Sequence, residues 1–280
     1  MENGVRRLLV DISLWNPSHD QFSEVIALLP LHEQSSITRF IKFDDRKRAF
    51  VSRLLQYVVV HELLGLALNE IVIKRTVEGK PYLGKYPPNS KFPNFNFNCS
   101  HHGDYVAIAS EPLCLIGLDI VSLSVPGQET INDFIGNFSS YFTSLEWNKI
   151  INAGISCKVL AEFYRYWCLK EAYVKATGAG IGFRLDRLEF HHTDWADISV
   201  YVDGKKSKAW KFWLIELDKM HLAALAKGHP QNATKNYKSA LPRTEFEEED
   251  YYSSLNLQNP GFYLCTVEQL SLVAKNATEG

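Results

Sequence analysis

Residues 95–123, FNFNCSHHGDYVAIASEPLCLIGLDIVSL, alternate apolar and polar positions between two turn signals, SHHGD and SEPL. Alternation of this kind marks half-buried strands, so the stretch predicts three strands in a meander, with Asp119 on the third. Two segments carry helical spacing instead: RKRAFVSRLLQYVVVHELLGLA (46–67), with Gly65 near its end, and KVLAEFYRYWCLKEAYVKAT (158–177), closed by Gly178 and Gly180. Around them, LLVDISLW (8–15) reads as a strand, and EIVIKRTVEGKPYLG (70–84) as two short extended segments around the turn pair Glu78-Gly79. The prolines and Asn-Ser of KYPPNSKFPN mark a loop, and KAWKFWLIELDKMHLAALAKG (208–228) a hairpin around Asp218-Lys219. Residues 229–258 are polar, hold the acidic run Glu245 to Asp250, and predict a flexible excursion, after which GFYLCTVEQLSLV (261–273) is expected to pack back onto the body. No internal sequence repeat is visible.

At 280 residues the chain suits one large domain or two fused halves, and 46% hydrophobic with 12% aromatic residues is the composition of a folded globular protein. A net charge of −2 argues against generic nucleic-acid binding, leaving the basic residues to serve small anions. Cys99, Cys114, Cys157, Cys168 and Cys265 contain no C-x-x-C pair and are odd in number, which indicates neither a zinc site nor a disulfide framework and fits a reducing compartment. The start of the chain does not read as a signal peptide, and no apolar run approaches membrane-spanning length, so a cytosolic protein is expected.

On the helix at 158–177, Phe163, Trp167, Glu171 and Lys175 recur every four residues, with Lys170 beside them, so one stripe begins aromatic and ends in a carboxylate and an amine. In an isolated helix that pattern is an ordinary solvated salt bridge. Asp119 changes the context, because it interrupts the apolar stretch Cys114 to Val121, where a carboxylate needs a partner. Such an aspartate is either hydrogen-bonded for structure or a ligand, and Asp119 with Glu171 would suit Mg²⁺, which takes one or two protein carboxylates plus phosphate oxygens and water. Arg75 and Lys80 lie across a turn, and Ser100 and His101 end a strand where they would either hold a phosphate or simply form the turn. His61-Glu62-Leu63-Leu64-Gly65 lacks the second histidine of a zinc-protease helix, and Ser100, His101 and Asp104 sit too close in sequence for a catalytic triad.

Taken in order, RTVEGKP, FNCSHHGDYVAIA, GLDI and WCLKEAYVKATGAGIGF resemble the signature blocks of the phosphopantetheinyl transferase superfamily, over roughly residues 8 to 225. The resemblance implies an α+β fold of two similar α/β halves in a pseudo-twofold arrangement, 1–113 and 114–280, in a monomer that binds coenzyme A in the cleft between them. It implies coenzyme A contacts from Arg53, Arg75, Gly79, Lys80 and Pro81, and phosphate contacts from Ser100 and His101, with Asn98 and Lys170 in the same set. Asp119 and Glu171 are implied as Mg²⁺ ligands and Lys175 as approaching the pyrophosphate; Glu171, the ligand nearest the lysine-rich helix end, is the candidate general base for the carrier serine, directly or through water. Val121 stands where many bacterial relatives carry a third acidic ligand. The implied activity is transfer of 4′-phosphopantetheine from coenzyme A to a serine of acyl carrier protein domains, of the fatty-acid synthase and aminoadipate-reducing types, releasing 3′,5′-ADP. The alternative is a non-catalytic coenzyme A or carrier-protein binding module; a kinase is disfavoured because no phosphate-binding glycine loop is present.

Overall fold

The computed structural model describes residues 4–88 and 90–279; Asn89, in the expected loop, lies outside them. The first half begins with β1 (Arg6–Asp11), which ends earlier than expected because Asp11 caps a 3-10 turn at Ile12–Leu14. Short helices α1 (His19–Ile26) and α2 (Leu31–Thr38) lead to the 22-residue α3 (Phe43–Leu64). Gly65, at φ +67°, ends α3 in the left-handed conformation that glycine adopts without strain. The hairpin β2 (Ile73–Arg75) and β3 (Pro81–Leu83) follows, then the antiparallel pair β4 (Asn96–His102) and β5 (Tyr105–Glu111). β5 also pairs with β1, and α3 buries Phe50, Leu54 and Val58 in the core beneath this sheet.

The second half repeats that order with different side chains. A first strand, β6 (Leu115–Ser122), is followed by α4 (Ile131–Gly136), α5 (Ser144–Ile151) and the 22-residue α6 (Ser156–Thr177), which Gly178 closes at φ +70°. Three small strands, β7 (Leu188–Thr193), β8 (Ala196–Val202) and β9 (Lys205–Lys206), stand where the first half has its hairpin. The antiparallel pair β10 (Trp210–Glu216) and β11 (His221–Gly228) completes the unit, and β11 pairs with β6 as β5 pairs with β1. The fold is α+β.

The third strand of the expected meander is therefore placed differently. β6 hydrogen-bonds to β11 in the second sheet and not to β5. Its other edge is satisfied by side chains of β4: Asn96 Oδ1, Asn98 Oδ1 and Ser100 Oγ accept from the backbone N–H groups of Ile116, Leu118 and Ile120, each twenty residues further on. Buried N–H groups demand partners, and here polar side chains supply what a neighbouring strand would otherwise give. This three-rung ladder joins the two halves.

The C-terminal residues return to the first half, so the expected division at 113/114 does not extend to the chain's end. β12 (Tyr263–Leu264) pairs in parallel with β1, and α9 (Val267–Glu279) buries Leu270 and Ala274 in the core that holds α3. Residues 229–258, expected as a flexible excursion, carry α7 (Lys235–Lys238) and α8 (Glu248–Asn256) and are pinned by the buried side chains of Tyr237, Tyr251 and Leu255. No helix among the described residues is long and apolar enough to cross a membrane.

Glu111, at the end of β5 and fully buried, pairs with Arg7 of β1 and with Lys227 of β11 at 3.0 Å. Arg7 also donates to Asn259 Oδ1 at 3.2 Å, and Lys227 to the Ser254 carbonyl at 2.7 Å, so one carboxylate ties both sheets to the C-terminal segment. Glu111→Ala leaves two buried cations without their counter-charge and is expected to cost about 3–5 kcal/mol in urea unfolding. A loss below about 1 kcal/mol would show that water replaces the carboxylate there.

Candidate active site

A cleft of about 810 Å³ opens between the halves, walled by α3, the β2–β3 turn, β4, β6, α6 and the loop after α6. Gly117 explains how β6 and α6 come so close: a Cβ there would lie 1.9 Å from the Ala172 carbonyl oxygen. Only glycine admits the helix backbone at this distance. Two residues along the same face, Asp119 then meets the last turn of α6. Its Oδ1 lies 2.5 Å from Lys175 Nζ, and Lys175 also donates to Ser100 Oγ at 2.9 Å.

Glu171 lies one turn before Lys175 on the same face of α6, with Trp167 a further turn back, while Phe163 is buried in the core. Burial first, and the Asp119 charge second, raise the Glu171 pKa above the ordinary carboxylate value, with Lys175 opposing. No hydrogen bond among the described residues takes up this carboxylate. Burial pulls the Lys175 ammonium down, but the charge and hydrogen bond of Asp119, together with Glu171, outweigh it and leave the pKa raised. Lys175 is therefore held charged beside two carboxylates. His101, exposed at the mouth of the cleft, has its imidazole pKa lowered by the surrounding protein and then by the Lys175 and Arg48 charges.

At the other end of the cleft, Arg53 on α3 donates through Nε to Glu33 Oε2 at 2.7 Å, and Arg75 donates to the Gly79 carbonyl at 3.1 Å. Burial and then the nearby Arg53 lower the Arg75 pKa, the mark of two guanidinium groups brought together where an anion would relieve them. The turn between β2 and β3 is closed by the Gly79 N–H on the Thr76 carbonyl at 2.9 Å, with Gly79 at φ +90°, and Pro81 then starts β3 against Arg75. Asn98 lines the cleft, with its Oδ1 spent on Leu118.

Two expected ligand contacts spend their ammonium groups inside the protein, Lys170 away from the cleft and Lys80 at its wall. The Lys170 ammonium is fully buried, 2.8 Å from Glu146 Oε2 and from the Leu185 carbonyl, because one residue before Glu171 is about 100° further round the helix. Lys80 spends its ammonium on the carbonyls of Ile116 at 3.1 Å and Lys175 at 2.5 Å, 4.8 Å from the centre of the Tyr237 ring. It clamps the turn to the end of α6.

Burial, then the Lys175 charge, pull the Lys80 pKa from 10.5 down to about 7. Between those values the unfolded chain binds more protons than the folded one, so this residue makes stability rise with pH across that window. The thermal midpoint of the wild type is expected to gain on that of Lys80→Met between about pH 7 and about pH 9. A constant difference would show that the buried ammonium stays charged.

Sequence reasoning missed Glu33, which holds Arg53, and the seam role of Asn96, although polar residues at every second position of FNFNCS carried the signal. Among the described residues no group of three or more His, Cys, Asp or Glu is placed to hold a metal ion, leaving Asp119 and Glu171 as a pair. Val121, in place of a third acid, is buried against the second core.

Two neighbouring guanidinium groups and a lysine bound to Asp119 line one cleft between two α+β halves of one topology, an arrangement that suits an anionic ligand. A family model described as 4′-phosphopantetheinyl transferase, N-terminal, matches residues 13–113, and one for the 4′-phosphopantetheinyl transferase superfamily matches 115–227. The chain is 35% identical to L-aminoadipate-semialdehyde dehydrogenase-phosphopantetheinyl transferase of Homo sapiens, over 78% of this chain and 73% of that one. It is 32% identical to the protein of the same name in Mus musculus, over 95% and 92% of the two chains. Against the phosphopantetheinyl transferase of Thraustochytrium sp. the identity is 34%, over 77% and 75%. The chain belongs to the 4′-phosphopantetheinyl transferase family.

Proposed function

We propose that this chain moves the 4′-phosphopantetheine arm of coenzyme A onto a serine of acyl carrier protein domains, the reaction of a holo-acyl-carrier-protein synthase, in the cytosol. The observation that carries this reading is Lys175 bound to Asp119 one turn from Glu171, whose carboxylate takes no hydrogen bond among the described residues, in one cleft with Arg53 and Arg75. The serine oxygen attacks the phosphorus that bears pantetheine, the bond to the other phosphate breaks, and 3′,5′-ADP leaves. Arg53 and Arg75 bind the nucleotide's phosphates, and Lys175 meets the diphosphate where charge develops. Glu171 takes the serine proton, a role for which its carboxylate is free of hydrogen-bond partners among the described residues.

Asp119 and Glu171 would hold Mg²⁺. Two oxygen-donor carboxylates whose charges raise each other's cost, with one ammonium between them, fit a hard cation that takes its remaining ligands from phosphate and water. When bound, the ion supplies further neutralisation of the breaking diphosphate. The acceptor domains in this reading are of the fatty-acid synthase and aminoadipate-reducing types. The test is 3′,5′-ADP release in the presence of an apo carrier protein and of its serine-to-alanine variant. Release with the first and none with the second is expected; coenzyme A binding without release from either would contradict the proposal.

A further inference from the structure

Arg53 comes to the cleft with one edge of its guanidinium already engaged. Its Nε donates to Glu33 Oε2 at 2.7 Å, and no hydrogen bond among the described residues takes up its terminal nitrogens. Glu33 stands in the first turn of α2, is 7% exposed and does not line the cleft. Ser36 Oγ, on the same helix, donates to the same carboxylate oxygen at 3.4 Å. The Glu33 charge is also felt at Arg75, where it opposes the lowering that burial and Arg53 impose. From outside the cleft, α2 thus supplies a counter-charge to both guanidinium groups.

We propose that Glu33 is a positioning residue for ligand binding: through Nε it holds the plane of the Arg53 guanidinium, so that the terminal N–H groups are left to the phosphates of coenzyme A. The inference rests on reading the cleft as the transferase site. A guanidinium is a rigid planar fork, so fixing one edge fixes the direction of the others, and a side chain ordered in advance loses less freedom when the anion arrives. The Glu33 charge by itself acts the other way, because it repels that anion. Orientation and repulsion therefore predict opposite changes in affinity when the carboxylate is removed.

The experiment measures the coenzyme A dissociation constant by calorimetry, and kcat and KM for coenzyme A with an apo acyl carrier protein, in Glu33→Ala, Glu33→Gln, Arg53→Ala and the double variant Glu33→Ala/Arg53→Ala. Glu33→Ala is expected to weaken coenzyme A binding and raise KM about tenfold, with kcat within about threefold of wild type. Glu33→Gln, whose amide oxygen still accepts the Nε–H, is expected to bind within about threefold of wild type. Once Arg53 is alanine, removing Glu33 as well is expected to change the dissociation constant less than about twofold, because the two act as one unit. Tighter binding by Glu33→Ala would show that the carboxylate competes with the ligand for Arg53 and would overturn the proposal. A loss that recurs in full on top of Arg53→Ala would overturn it too, by reducing Glu33 to a prop for α2. Should Glu33→Ala not fold, Glu33→Asp, one methylene shorter and short of the Arg53 Nε, is read by the same cycle. Wild-type turnover reports separately on the transferase reading, while the calorimetric cycle judges Glu33 without it.

Discussion

Glu171→Gln is expected to cut turnover by about 10³-fold while coenzyme A binding stays close to wild type. The amide keeps the shape of the carboxylate but cannot accept the serine proton, and it removes one of the two charges that would hold Mg²⁺. Arg53 and Arg75, which carry the nucleotide's phosphates in this account, lie at the other end of the cleft and keep their partners Glu33 and Gly79. Titration gives the same residue a second signature. In the metal-free protein burial and then Asp119 raise the Glu171 pKa, and a bound Mg²⁺ would oppose that shift. NMR titration of the Glu171 carboxylate without metal is expected to give a midpoint above about 4.3, the unperturbed value for glutamate; a midpoint at or below it would show that Lys175 outweighs burial and Asp119.

Asp119→Ala is expected to cost about 10²- to 10³-fold in kcat and to abolish the response to added Mg²⁺. The aspartate has two connections. It is the ion-pair partner of Lys175 at 2.5 Å, and its charge is the second cause of the raised Glu171 pKa. Without it, Lys175 loses the interaction that outweighs its desolvation, so the lysine pKa falls, and in the metal-free protein the Glu171 titration moves to lower pH. An unmoved Glu171 titration in metal-free Asp119→Ala would separate Asp119 from Glu171 and break the account of the pair.

Much of this was legible in the chain itself where one local cause dominates. Helices α3 and α6 announce themselves through apolar spacing and a closing glycine, and both Gly65 and Gly178 adopt the left-handed conformation that ends them. The β2–β3 hairpin follows from Glu78-Gly79, and the hairpin of β10 and β11 from Asp218-Lys219. What failed to show was long-range. Alternation identifies β6 as a strand but carries no information about which edge it joins, and the polar side chains that cap its free edge lie twenty residues away. Lys80 and Lys170 have the residue type of anion ligands, yet burial and backbone carbonyls claim them, which only packing decides. The stretch 229–258 is too polar for periodicity, and its few anchors act through residues far away in sequence: Tyr237 joins the second core, and Tyr251 and Leu255 form a small cluster with Cys114. The repeat of strand order between the halves is likewise invisible in sequence, because a core specifies volume and pattern more than identity.

Intact-mass analysis of an apo acyl carrier protein incubated with coenzyme A, Mg²⁺ and this protein tests the central claim most directly, with EDTA as control. The account predicts a mass gain of one phosphopantetheine on the carrier, lost in EDTA and lost in a carrier lacking the acceptor serine. Coenzyme A bound by the protein with no mass gain across several carriers would contradict it.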